Sequence, residues 1–252
     1  MFADVIERSD DMTTVREHYD RHLAPIYVWM AGGFDSAIAH GEADIEAIPC
    51  DPGVGRQAVD LGAGFGMHAI PLARRGYSVL AIDSSALLLD CIRSHSDGVS
   101  VRVAVDDMLA FPKYLTEKVH VVLSMGDTLT HLQELSEVQR LFSLIGHSLV
   151  PGGKFVAVFR DYTMPLVGVG RFIPVRSDED RIHTCFLEYA SDRVIVHDIL
   201  HVRSGSTWKQ RVSSYQKLRL SPDWVVAELL ACGFSVRSEH AMAGMVRIVA
   251  SM

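Results

Sequence analysis

Residues 59–69, VDLGAGFGMHA, constrain the fold most, because three glycines follow an apolar run at a spacing of two. A glycine turn between a strand and a helix lets the backbone approach a ligand closely, and the helix start presents free N–H groups. A dinucleotide fingerprint would read G-x-G-x-x-G and cradle a pyrophosphate, whereas this turn reads G-x-G-x-G after the acidic Asp60. The pattern predicts a nucleotide-like ligand with no phosphate at this turn.

Apolar runs alternate with helix-like periods around the glycine turn. The runs are short, rich in valine and continuous, as expected for a parallel sheet that is covered on both faces. Predicted strands occupy residues 57–61, 77–83, 99–105, 119–125 and 154–159, and predicted helices occupy residues 67–76, 84–95 and 131–150. We expect Ser84 to cap the second helix, Pro151 to Gly153 to close the third, and Pro71 to fit the first only near its first turn. The alternation predicts an α/β fold with a doubly wound, mainly parallel sheet.

The pattern changes after Tyr162. Residues 171–177, 183–191, 193–203 and 207–220 alternate apolar and polar side chains between turn-forming stretches, which predicts an antiparallel meander. Ser221, Pro222 and Gly233 then mark the start and the end of a further helix, and two strands follow it at 234–239 and 245–250. We expect an N-terminal helical lid (1–50), an α/β domain (51–162 and 221–252) and a small antiparallel β insertion (163–220) that roofs an acceptor site.

Composition narrows the class of ligand and the location. The chain has 252 residues, 48% of them hydrophobic, and a formal net charge of -7 without a basic run, which argues against a nucleic-acid partner. No secretory signal or membrane-spanning stretch is evident, so we expect a cytoplasmic protein without a membrane partner. Cys50, Cys91, Cys185 and Cys232 lie far apart, which predicts buried free thiols and no metal site or disulfide framework.

The glycine turn resembles the first motif of class I S-adenosylmethionine-dependent methyltransferases, in which an apolar strand precedes D-x-G-x-G-x-G. Within that superfamily the chain is similar to small-molecule N-methyltransferases of the glycine and glycine/sarcosine type. MGDTLTHL (125–132) resembles their G-N-S-x-x-H-L loop, and FRDY (159–162) resembles their H-R-N-Y segment. The resemblance implies S-adenosylmethionine as the cofactor, S-adenosylhomocysteine as its product and a seven-stranded sheet of order 3-2-1-4-5-7-6.

The resemblance also implies a set of cofactor-binding residues. They follow the ends of successive strands, with the lid tyrosine added: Asp60, Gly62, Ala63, Gly64, Asp83, Ser84, Leu88, Asp107, Met108, Met125 and Tyr27. Asp83 closes the second predicted strand, where an acid accepts hydrogen bonds from ribose hydroxyls, although it could instead cap the next helix. The family pairs the cofactor carboxylate with an arginine, but residues 34–48 contain no Arg or Lys, which leaves Arg16 or Arg21.

The acceptor side rests on fewer residues. Asp127, which replaces the family asparagine, and His131 are candidate catalytic proton acceptors, although each could instead cap the following helix. Arg160 matches the arginine that grips a substrate carboxylate, with a surface ion pair as the alternative. Tyr162 and Tyr19 are the other substrate-binding candidates, and Tyr19 could also simply pack the lead helix.

These observations predict methyl transfer to a small-molecule acceptor, an amine nitrogen on a carboxylate-bearing substrate being favoured. The alternatives are O-methylation of a small hydroxylated metabolite and a cofactor-binding module without transfer activity. Edge strands of the meander could pair two copies into a homodimer. A nicotinamide dehydrogenase is disfavoured by Asp60 and by the glycine spacing.

Overall fold

The structure is a computed structural model that describes residues 6–8, 13–48, 56–240 and 244–252. Its strands are β1 (Ile6–Arg8), β2 (Gln57–Leu61), β3 (Ser78–Asp83), β4 (Val101–Val105), β5 (Val119–Ser124), β6 (Leu149–Arg160), β7 (Phe172–Ser177), β8 (Arg181–Tyr189), β9 (Arg193–Ser204), β10 (Thr207–Leu218), β11 (Ser235–His240) and β12 (Met245–Ser251). Its α-helices are α1 (Val15–His18), α2 (Tyr27–Met30), α3 (Phe34–Glu46), α4 (Ala69–Arg74), α5 (Ala86–His95), α6 (Leu135–Ser148) and α7 (Pro222–Ala231).

Seven strands form the main sheet in the order β4-β3-β2-β5-β6-β12-β11. The first five are parallel to one another, and β12 runs antiparallel to β6 and to β11. Counted along the chain within this sheet, the order is 3-2-1-4-5-7-6. The predicted fold class and strand order are therefore confirmed.

Both faces of the main sheet are buried, as the continuous apolar runs predicted. On β2, Val59 belongs to the core cluster that contains α6 and α7, whereas its neighbour Ala58 belongs to the cluster that contains α4 and α5. Because successive strand residues point to opposite faces, this division requires a helical layer on each side.

The second sheet has the order β1-β10-β9-β8-β7, in which β7 to β10 form the predicted antiparallel meander and β1 adds parallel to β10. The lead segment before β2 forms α1, a π-helical turn (Tyr19–Leu23), a 3-10 turn (Ala24–Ile26), α2 and α3. Its side chains contact the second sheet and the glycine turn, so the lead segment lies at the edge where β2 and β3 end.

Several local predictions need correction. Ser85, not Ser84, precedes α5, and its side chain makes no capping hydrogen bond. The glycine pair after Pro151 does not close a helix but forms an irregularity inside β6, where the pairing with β5 shifts register. The long helix starts at Leu135, because a 3-10 turn (Thr128–His131) comes first. Pro71 is the third residue of α4, so its missing N–H is one that the first turn leaves unpaired.

Composition predicted buried free thiols and no membrane-spanning stretch. Cys91, Cys185 and Cys232 are free, as predicted, but partly exposed rather than buried, and Cys50 lies outside the described residues. Within the described ranges, none of the helices has both the length and the apolarity that a bilayer crossing requires.

Candidate functional site

A cavity of about 690 Å³ opens at the carboxyl ends of β2, β3, β4 and β5, beneath the lead segment. Parallel α/β sheets bind ligands at this edge, and cavities of about 300–1,000 Å³ suit small molecules. Thirteen of the residues singled out in the sequence line it: Arg16, Tyr19, Tyr27, Gly62, Ala63, Gly64, Asp83, Ser84, Leu88, Asp107, Met108, Met125 and His131. The sequence motifs therefore converge on one cavity.

The glycine turn forms one wall through its backbone. Gly62, Gly64 and Gly66 have φ angles of 69°, 54° and 97°, in the left-handed region that favours glycine. A Cβ atom on Gly62 would overlap the side chain of Thr128, whereas a Cβ on Gly64 would meet open space. The turn thus packs tightly on the loop after β5 and leaves its other side free for a ligand.

Asp83 closes the same part of the cavity from β3. Its Oδ2 accepts the Gly64 N–H at 2.8 Å, and its Oδ1 accepts the Ser85 N–H at 2.8 Å. Burial raises the pKa of this carboxyl, while the two N–H donors oppose the rise. Asp83 therefore holds the glycine turn in place and also faces the cavity.

Asp60 lies at the end of β2 and does not belong to the described cavity lining. It is 1% exposed, and its Oδ2 has no hydrogen-bond partner among the described atoms. Burial raises the pKa of Asp60 to about 6. A buried acceptor without a donor suits a ligand N–H or a cationic group at the glycine turn.

The next part of the cavity lies where β3 and β4 end. Leu88 of α5 and Met108 supply apolar wall, and Asp107 caps the 3-10 turn Met108–Tyr114 by accepting the Leu109 N–H at 2.7 Å. The neighbouring Asp106 binds Lys113 and the Tyr114 hydroxyl, and these hydrogen bonds lower its pKa to about 2. Two carboxylates therefore border an apolar slot.

Aromatic rings of the lead segment enclose the other end of the cavity, which we call the lid end. The Tyr19 ring lies 5.8 Å from Tyr27 and 5.4 Å from His131, and the Tyr27 ring lies 5.8 Å from Phe65 of the glycine turn. Burial raises the pKa of both tyrosines, so their hydroxyls stay protonated. The lid end is therefore walled by uncharged rings.

His131 is a titratable side chain of the lid end, where its ring lies 5.4 Å from Tyr19 and 5.8 Å from Tyr215. Its Nε2 is buried and has no hydrogen-bond partner among the described atoms. Burial holds the pKa of His131 well below its usual value, and the Lys217 ammonium adds to this effect. The imidazole is therefore neutral at pH 7 and can offer one ring nitrogen as a proton acceptor.

Asp127 is buried and does not belong to the described cavity lining. Its Oδ1 accepts the Arg160 N–H and the Thr130 hydroxyl, and its Oδ2 accepts the Tyr162 hydroxyl and the Lys217 ammonium at 2.5 Å. Four donors thus occupy both carboxylate oxygens. This arrangement suits a support for the loop after β5 better than a proton acceptor.

Arg160 and Tyr162 also lie outside the described lining. Tyr162 is 4% exposed and points its hydroxyl at Asp127, and one guanidinium nitrogen of Arg160 lies near Gly244, the residue before β12. Arg16 instead lines the cavity, 3.8 Å from Asp20. The arginine in the described cavity lining is thus Arg16 of the lead segment rather than Arg160 of β6.

The described lining of the cavity carries more carboxyl groups than cationic groups. Four carboxyl groups lie in this lining, those of Asp83, Asp106, Asp107 and Glu137. The guanidinium of Arg16 is the single arginine or lysine group among the described lining residues. A concave site with this imbalance attracts cations and repels phosphates.

Sequence reasoning missed several residues of the site. Phe65, Gln133, Glu137 and Gln216 line the cavity, and Lys217 forms the buried ion pair with Asp127. Phe65 lies inside the glycine motif and could have been inferred from it. Gln216 and Lys217 carry no sequence signal, because their place depends on the register of β10.

A separate polar cluster lies between α1 and the second sheet. His183, Cys185 and Asp198 bring potential metal-ligand atoms within 4.8 Å of one another. However, the imidazole and thiol lie 2.8 and 2.7 Å from one Asp198 oxygen, whereas ligands around a tetrahedral zinc would stand about 3.3 Å apart or more. We interpret the cluster as hydrogen-bonded.

Known proteins resemble this chain in both sequence and fold. Residues 58–153 match a family described as a methyltransferase domain. A ubiquinone biosynthesis O-methyltransferase from Paramagnetospirillum magneticum is 33% identical over 110 residues, which are 42% of this chain and 41% of that protein. The chain thus matches about two fifths of the length of this curated relative.

Solved structures match over nearly the whole chain. The CcbJ methyltransferase from Streptomyces caelestis has a TM-score of 0.75 at 21% identity, over 95% of this chain and 98% of that chain. An S-adenosylmethionine-bound amino pentose methyltransferase from Micromonospora echinaspora has a TM-score of 0.70 at 18% identity, over 90% and 95%. The chain therefore has the fold of S-adenosylmethionine-dependent methyltransferases, and residues 58–153 are the part of it that matches the methyltransferase-domain family.

Proposed function

We propose that the protein transfers a methyl group from S-adenosylmethionine to an amine nitrogen of a small, polar molecule. The observation that carries this proposal is the neutral His131, which offers an unpartnered buried nitrogen at the lid end of the cavity. A neutral imidazole at this place can accept the proton that an amine loses before or during methyl transfer.

The cavity fits the cofactor by chemistry as well as by volume. The open side of Gly64 and the unpartnered Oδ2 of Asp60 suit the cationic methionine part, and Asp83 suits the ribose. The apolar slot at Leu88 and Met108 suits the adenine. Ala63, Ser84, Asp107 and Met125 complete this set, and Tyr27 would cover it.

A bound cofactor would supply an activated methyl group on its sulfonium, and transfer would form the N–CH₃ bond as the S–CH₃ bond breaks. The residues of the chain must then align the acceptor nitrogen with that bond, and alignment alone contributes about 7–11 kcal/mol to such reactions. Tyr19 and Tyr27 would exclude water from this end, and Nε2 of His131 would hold the proton that leaves the nitrogen.

The negative lining favours an amine over an anionic acceptor. Glu137, Gln133 and Gln216 add polar groups to the lining, which suits a polar acceptor better than a long apolar chain. If the acceptor also carries a carboxylate, Arg16 is the side chain that we propose to bind it, since Arg160 lies outside the described lining. The insertion (163–220) would then wall the acceptor site through Gln216, beneath the lid (1–50).

Transfer to a hydroxyl is the second candidate, because the curated relative is named as an O-methyltransferase. The same His131 nitrogen could accept a hydroxyl proton. The two candidates differ in the acceptor alone, so they are separable with matched compounds.

The test is release of S-adenosylhomocysteine from S-adenosylmethionine with pairs of acceptors that differ at one group. Each pair consists of an amine and its hydroxyl analogue. One set of pairs carries a carboxylate, as in amino acids, and the other set lacks it, as in amino sugars. Turnover of the amine member alone supports the proposal, and turnover of the hydroxyl member alone replaces it with O-methylation. Cofactor binding without turnover of any pair would indicate a non-catalytic module and contradict the proposal.

A further inference from the structure

A buried histidine anchors the lead segment to the second sheet. His18, the last residue of α1, is 0% exposed. Its Nε2 lies 2.8 Å from Oδ2 of Asp198 on β9, and its Nδ1 lies 2.8 Å from the Ser213 hydroxyl on β10. Both ring nitrogens therefore have partners on the second sheet, which lie 180 and 195 residues away along the chain.

Asp198 is itself held from the opposite side. Its Oδ1 lies 2.8 Å from Nε2 of His183 and accepts the Cys185 thiol, both on β8. Although burial favours the neutral acid, hydrogen bonds from His18 and His183 lower the pKa of Asp198. The carboxylate is thus ionised at neutral pH and fixed by donors on both of its oxygens.

The anchored histidine is adjacent to a wall of the cavity. The His18 ring stacks on Tyr215 at 4.1 Å, and the next residue is Tyr19, whose ring lies 5.4 Å from His131. Tyr19 begins the π-helical turn. Such turns are rare in proteins, and those that occur are frequently found at functional sites. A displacement of α1 would therefore move Tyr19 relative to His131.

We propose that the Asp198–His18 pair positions the lid, so that Tyr19 closes the lid end of the cavity against His131. Asp198 is then a positioning residue for methyl transfer, acting through His18 and Tyr19 without touching a substrate. This inference rests on the proposed function for its effect on turnover. Its structural part, the anchoring of residues 15–31, is measurable without cofactor or acceptor.

The same strands supply a control on the other, more exposed side of the sheet. His197 of β9 makes a similar pair of bonds, with Nδ1 2.7 Å from the Ser214 hydroxyl and Nε2 2.7 Å from Glu188. Its ring contact is with Phe186 of β8, so its described side-chain contacts lie within the sheet. Glu188→Gln therefore changes a histidine–carboxylate bond on the same strands without touching the lid.

The experiment compares Asp198→Asn with Glu188→Gln in the full chain. Asparagine keeps the shape but offers one acceptor oxygen instead of two. Amide hydrogen exchange in the free protein is followed in residues 15–31 and, as an internal reference, in α6. We expect lid exchange to speed at least tenfold in Asp198→Asn with α6 unchanged, and neither segment to change in Glu188→Gln.

Turnover separates positioning from a purely structural role. We expect Asp198→Asn to lower kcat at least tenfold while the Kd of S-adenosylmethionine changes less than threefold. The proposal would be overturned if Asp198→Asn accelerated exchange equally in the lid and in α6, or if the kcat of this variant equalled that of the wild type. If Asp198→Asn does not fold, His18→Phe keeps the ring on Tyr215, removes both hydrogen bonds and is expected to loosen the lid equally. If the wild-type protein turned over no acceptor, that result would contradict the proposed function alone, because hydrogen exchange in the lid is measured without turnover.

Discussion

The two ends of the cavity are built differently. At the glycine turn the backbone makes the wall, through positive φ angles and the Gly64 N–H that Asp83 accepts. At the lid end, side chains from distant segments meet, with Tyr19, His131 and Gln216 contributed by three separate elements. The first end depends on about 25 consecutive residues, and the second depends on how the lead segment and the second sheet pack. We therefore expect the first end to respond to backbone changes and the second to loss of a side-chain partner.

The two ends share a support at Asp127, and Lys217→Met tests it. Met125 and Thr128 on either side of Asp127 line the cavity, while Lys217 binds it from the second sheet. Removing the ammonium leaves the buried Asp127 carboxylate with three neutral hydrogen-bond donors but without its charged partner, so we expect the free energy of unfolding to fall by about 3–5 kcal/mol. Urea unfolding measures it, and adding Asp127→Asn should recover much of the loss. Additive losses would mean that the pair does not couple the two ends.

Gly62→Ala tests the backbone end. The new Cβ would overlap Thr128 at a φ of 69°, so we expect the Kd of S-adenosylmethionine to rise more than 100-fold, or about 2.7 kcal/mol. Gly98→Ala is the control, because Gly98 has a φ of 76° but open space around it and lies outside the described lining. Isothermal titration compares the two variants. Equal affinities would remove the glycine turn from the cofactor site.

His131→Phe tests the side-chain end. Phenylalanine keeps a ring against Tyr19 and Tyr215 but removes the proton acceptor, so we expect kcat to fall about 100-fold. The Kd of S-adenosylmethionine should stay within twofold of the wild-type value. A parallel loss of cofactor affinity would assign His131 to the cofactor end and break the division between the two ends.

Asp83→Asn should have the smallest of these effects. The amide retains an oxygen for the Gly64 N–H but loses the charge and one acceptor, so we expect a rise of about tenfold in the Kd of S-adenosylmethionine, or about 1.4 kcal/mol. Asp97→Asn, a change on an exposed turn residue, is the control. An unchanged Kd of S-adenosylmethionine in Asp83→Asn would mean that this aspartate only holds the glycine turn and does not bind the cofactor.

The main sheet was predictable because each of its signals is local. The continuous apolar run at 57–61 matches β2, and Ser221 with Pro222 marks the start of α7. The glycines after Pro151 misled the prediction, because a glycine pair that typically ends a helix also fits an irregular strand. Lys217 and Asp198 could not have been assigned roles, since their partners lie 90 and 180 residues away and only the packed structure brings them together.

The most direct test of this account is a crystal structure with S-adenosylhomocysteine and an amine acceptor. We predict the adenosine between Asp83 and Leu88, the amino-acid part at Gly62 to Gly64, and the sulfur and acceptor nitrogen beside His131, beneath Tyr19. Ligand at another edge of the main sheet, or an acceptor separated from His131, would contradict the account.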